Sequence, residues 1–153
     1  MNAAEMVGVA CVLVGSSAWV GAANAAGPGP DPAALDIAKT MANCAGLFTA
    51  MAAVQKSVDK PANAERFRGL SGGWVLGAQY VMAIEAGARG VHKTLGNFEN
   101  FTQPIVETES IRILALMENG DMADVEKAAK VCQEPKLVEL QESIVTEFRT
   151  REN

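Results

Sequence analysis

Residues 61–89 carry two helical patterns at once. An apolar row, Phe67, Leu70, Trp74, Gly77, Val81, Ile84 and Ala88, recurs at alternating steps of three and four. That spacing keeps one side of an α-helix buried. A ridge of Gly69, Gly73 and Gly77 runs through the same stretch at steps of four. Glycine inside a helix costs roughly 1 kcal/mol against alanine, so three on one ridge predict another helix lying close along it. The preceding segment supplies a counterpart. A helix is expected from residue 32 to about residue 59, with an inward row of Ile37, Met41, Cys44, Phe48, Met51, Gln55 and Val58. Beside that row stand small residues, Ala38, Ala42, Gly46 and Ala50. A turn at Lys60-Pro61 makes the two helices antiparallel, and the small row, with Ala42 and Gly46 at its centre, is expected to receive the glycine ridge at less than the usual ~8–10 Å. The competing account of the small row is that alanine is simply a good helix former.

The rest of the chain reads as helix too. Asp31 is placed to cap the first helix, with Pro32 at its first position. Residues 87–103 are the least regular part, interrupted by Gly87, Gly90 and Gly96, with Phe98 and Phe101 as aromatic anchors. A third helix is expected to be capped at Thr102 or Gln103 with Pro104 at its start. Its apolar residues, Ile105, Val106, Ile111, Ile113, Leu114, Leu116 and Met117, cover more than one side and predict deep burial. Asn119-Gly120 predicts a left-handed stop. Asp121 opens a fourth helix with Met122, Val125, Ala129 and Cys132 inward, and Pro135 starts a fifth with Leu137, Leu140, Ile144 and Phe148 inward. No period-two strand pattern and no internal repeat occur. The expected fold is an all-α bundle of four or five helices with an antiparallel N-terminal hairpin, forming a single domain over residues 32–153.

Residues 6–20 are an uncharged, mostly apolar run followed by Ala23-Asn24-Ala25, the small-x-small pattern of signal cleavage. Residues 1–25 are therefore expected to be a secretory signal, and residues 26–31 a linker. Glu5 stands where a positive charge is usual, so retention of the segment as an anchor stays open. Residues 70–84 also lack charge, but this is 15 residues, short of the roughly 20 that span a bilayer. Export agrees with the cysteines. Cleavage leaves Cys44 and Cys132, both on inward rows, and an even count in an exported chain predicts a bridge. The alternative is two buried free thiols.

With 13 bases against 18 acids the net charge is −5, and no basic cluster exists. That argues against nucleic acid and against an anionic membrane surface; membrane contact is expected only through an uncleaved leader. Gly69-Leu70-Ser71-Gly72-Gly73 matches the G-x-S-x-G elbow of hydrolases, but that motif needs a preceding strand. The single histidine, His92, follows a glycine turn without ligand partners at metal spacing. Glu118, Asp121 and Asp124 lack the order of a calcium loop, and Glu107 and Glu109 read as a solvated face. No catalytic residue, metal site or cofactor is expected. Trp74 and Phe98 are the candidate contacts for a ligand between helices.

The layout resembles a diffuse set of small exported proteobacterial proteins, with an early cysteine as in Asn43-Cys44-Ala45-Gly46 and a late one as in Val131-Cys132. The resemblance implies an exported helical protein and no particular activity. Small helical, one-disulfide acid-stress chaperones of the periplasm are a second analogy. The functional expectation is a non-enzymatic interaction or structural protein, such as a small subunit of a cell-envelope assembly, with homo-oligomerisation open. The alternatives are a periplasmic ligand-binding bundle or a holdase opened by acid.

Overall fold

The computed structural model describes residues 29–151, which form five α-helices: α1 Pro32–Ser57, α2 Pro61–Ala88, α3 Glu99–Asn119, α4 Met122–Cys132 and α5 Pro135–Arg151. No strand occurs among the described residues. The expected leader and its expected cleavage site lie outside them. Helix boundaries follow local chemistry. The Asp31 carboxylate accepts from the Ala33 N–H at 3.0 Å, and Pro32 occupies the first turn, where no N–H is needed. At the other end of α1, Asp59 adopts a φ of 57°, and the Lys60 N–H reaches back to the Gln55 carbonyl at 2.9 Å. This Schellman turn reverses the chain directly into Pro61. Gly120, with a φ of 78°, ends α3 in the same way, as the Asp121 N–H bonds the Leu116 carbonyl.

Helix α1 is the axis of the molecule. Its most extensive interface is with α2, followed by α3, and α4 also packs on it, while α5 lies on α2. Met41, Ala42, Cys44, Ala45, Gly46 and Leu47 are consequently all buried. By length and composition α1 could cross a bilayer, but half of its most apolar stretch is covered by the other helices. One core draws residues from all five: Met41 and Leu47, Trp74, Ile113, Val125, and Leu137 with Ile144.

The hairpin is antiparallel, but the glycine ridge does not form its seam. Gly69 is exposed, with nothing within 4 Å of where a Cβ would stand. Gly73 faces α5, where the Gln141 side chain lies over it, and Gly77 meets the Met41 sulfur and Gln141. The α1–α2 seam is instead a seven-residue repeat of small side chains. The Ser71 hydroxyl donates to the Ala45 carbonyl at 3.0 Å, and the Glu85 carboxylate accepts from the Asp31 N–H at 3.0 Å. Fourteen residues along α1 thus match fourteen back along α2, a register that sets Ala38 opposite Ala78 and Ala52 opposite Ala64. All four alanines are buried. Thr49 joins Ser71 at 2.8 Å, so the serine of the G-x-S-x-G match is a helix-packing hydroxyl inside an uninterrupted helix.

The small row of α1 serves another neighbour. At Gly46 an added Cβ would lie 2.7 Å from the Glu109 Cβ and 2.8 Å from the Val106 carbonyl oxygen, both on α3. The tight approach that Gly46 permits is therefore that of α1 to α3. It draws in Glu109, whose side chain is only 13% exposed and takes two hydrogen bonds from Arg112; it is not a solvated face.

Helix α3 departs from expectation in two ways. It starts at Glu99, so Pro104 lies inside it. The 3₁₀ turn Leu95–Phe98, closed by reciprocal bonds between Thr94 and Asn97, nucleates the helix earlier, and buried Phe98 anchors it. Proline removes the bond to the Asn100 carbonyl, and both residues are exposed, so that carbonyl stands on the wet side. Nor is α3 deeply buried: its buried side chains are Thr102 and Ile113, and Ile111 is 68% exposed. Only α1 covers it along most of its length.

The sulfurs of Cys44 and Cys132 are bonded, with Cα atoms 5.5 Å apart across a sequence separation of 88. The disulfide clamps the last turn of α4 to the middle of α1. Helix α5 is held on α2 by Tyr80, which packs edge-on against Phe148 at 5.6 Å and donates to Glu147 at 2.6 Å.

Candidate functional site

The apolar rows that the sequence turns inward do not end where the core ends. Ile37 is 38% exposed and Ile84 57% exposed. Both line a groove of about 760 Å³ between the first turn of α1, the last turns of α2 and Leu140 of α5. Val81, Ala33, Ala34 and Ala88 complete its apolar wall. The geometry follows from the hairpin. Helix α1 starts and α2 ends at the same end of the pair, α5 covers α2 only partly, and no described element lies over the remaining face.

The polar side of the groove is organised by Glu85. Its side chain is 9% exposed. One oxygen accepts from the Asp31 N–H and lies 2.8 Å from Arg89 Nε, while the other accepts from Arg89 Nη2 at 2.9 Å. The Arg89 guanidinium first, and then the Asp31 N–H, hold this carboxyl below its ordinary pKa against the opposing effect of burial. Glu85 thereby ties the start of α1 to the end of α2 beside the apolar wall. Sequence reasoning missed this residue. Its only sequence trace is position: it continues the seven-residue series Ala64, Ser71, Ala78, where a small side chain is the rule.

The sequence-derived candidates fall elsewhere. Trp74 and Phe98 are 4% and 8% exposed, belong to the core and do not line the groove. Lys93 stands 5.8 Å from the centre of the Phe98 ring. Cys44 and Cys132 are joined, and Ala42 is wholly buried. Gly46 packs against α3, Gly73 against α5, and Gly77 between α1 and α5, while Gly69 packs against nothing. Among the described residues no group of three or more His, Cys, Asp or Glu side chains is placed to hold a metal. Comparison with protein-family models, curated proteins and solved structures finds no match.

Proposed function

We propose that this is an exported, non-enzymatic interaction protein that docks an apolar segment of a cell-envelope partner in the groove at the open end of the α1–α2 hairpin. The observation that supports it is the pair of exposed isoleucines, Ile37 and Ile84, on one concave apolar wall. Large side chains at such exposure, gathered in a groove within the ~300–1,000 Å³ range of binding sites, support reading it as an interaction surface. The disulfide is compatible with an oxidising compartment.

The test is native purification from the source cells with mass spectrometry of stoichiometric partners, repeated with Ile37→Glu and Ile84→Glu. Both positions are exposed, so thermal stability should change by less than ~1 kcal/mol. Loss of a partner that the wild type retains supports docking there. The same partner retained by both variants removes the groove from the interface.

Glu85 favours a second reading, in which acid loosens the groove and exposes apolar surface. Because the folded pKa is depressed, the stability Glu85 contributes is fully present above its ordinary value of 4.5 and is lost as pH falls through the folded value. Glu85→Gln keeps an acceptor for the Asp31 N–H and removes the charge. A thermal midpoint recorded against pH should fall more steeply in acid for wild type than for Glu85→Gln, with hydrophobic-dye binding rising in parallel. Superimposable profiles eliminate the acid latch.

A further inference from the structure

A second depression, of about 430 Å³, opens where α1, α3 and α4 meet, away from the apolar groove. Two features build it. Gly46 lets α3 close onto α1, and the disulfide holds α4 over the same face. Ala128 and Val131 give it an apolar wall over the buried Leu47 and disulfide, and Glu109, Arg112, Asp124 and Lys127 give it charges of both signs. These charges are not equivalent. Glu109 and Arg112 are committed to each other through two bonds of 2.7 Å, which hold the Arg112 pKa above its ordinary value, with Asp124 adding to the effect. Lys127 makes no ion pair among the described residues.

We propose that this depression binds a small zwitterion of the free α-amino acid type, its carboxylate toward Lys127, its ammonium toward Asp124 and its side chain against Ala128 and Val131. The charge balance selects this class. With Glu109 and Arg112 paired, Asp124 opposes a phosphate or a simple anion and Lys127 opposes a simple amine, whereas a zwitterion meets an opposite charge at each end. The volume lies near the lower end of small-molecule sites, about 300 Å³ upward, which fits an amino acid and not a nucleotide.

The test is thermal unfolding of the disulfide-bonded chain with free leucine, methionine, glutamine and glutamate, using acetate and methylamine as single-charge controls. At least one amino acid should raise the midpoint where neither control does. Lys127→Met and Asp124→Asn, both at exposed positions, should each weaken that binding about tenfold, the usual effect of losing one charged hydrogen bond. Ile84→Glu, in the other groove, should leave it unchanged, so the two sites fail or stand separately. No shift with any of the four amino acids overturns the proposal. So does an equal shift with acetate or methylamine, or binding that survives both substitutions.

Discussion

Replacing both cysteines, Cys44→Ala with Cys132→Ala, is expected to lower the stability of the domain by about 4.6 kcal/mol, the chain-entropy value for a closed loop of this length. For a domain of this size that is a fall in thermal midpoint of roughly 10–20 °C. The effect should be uneven. Helix α4 is 11 residues long and fully buries only Val125 and Cys132, so without the bond Val125 and the partly buried Ala128 and Ala129 are what anchor it. Its amides should lose hydrogen-exchange protection before those of α1 and α2. The intact bond should also resist external thiols, because Cys44 is completely buried and Cys132 is 6% exposed. Reduction should therefore follow the rate of opening rather than the thiol concentration once the reductant is in excess. A double variant within about 3 °C of wild type, with unchanged exchange in α4, would show that the surrounding packing needs no covalent help.

The second large effect is a change of sign among glycine substitutions. Gly46→Ala places a methyl group 2.7 Å from the Glu109 Cβ and 2.8 Å from a backbone oxygen of α3. Neither can swing aside as a side-chain tip can, so α3 must move. Overpacking of this kind costs about 1–3 kcal/mol, more than the roughly 1 kcal/mol returned by better helix propensity. Gly69→Ala and Gly72→Ala meet nothing within 4 Å and should each gain up to about 1 kcal/mol for the same propensity reason. Gly73→Ala meets only the amide end of Gln141, which can rotate away, and should fall between them. Urea titrations of the four variants measure the order. If Gly69→Ala proves as damaging as Gly46→Ala, the assignment of α3 as the close neighbour is wrong.

The ends of the helices were legible because they rest on local chemistry. Asp31-Pro32, Asn119-Gly120 and Pro135 each act on the backbone beside them, whatever surrounds them. The disulfide was legible because Cys44 and Cys132 both lie on inward rows. Pro104 shows where local reasoning failed. A proline is usual in a first turn, yet the capped 3₁₀ turn ahead of it and the buried Phe98 start the helix sooner, and solvent takes up the freed carbonyl. The α1–α2 seam was present in the sequence as Ala38, Ala45, Ala52 and Ala64, Ser71, Ala78. Alanine is common in any helix, so that period carried less weight than the rarer glycines.

By itself, then, the order of residues points to an all-α chain, to the limits of most of its helices and to two inward cysteines placed to pair, since these depend on capping and periodicity. Which neighbour each helix side meets was decided only in three dimensions. A glycine records that something could come close, not what does, and the α3 backbone came to Gly46 while Gly69 was left to solvent. The same holds for the apolar wall around Ile37 and Ile84. Periodicity marks those residues for burial, but only the placement of α5 leaves them open.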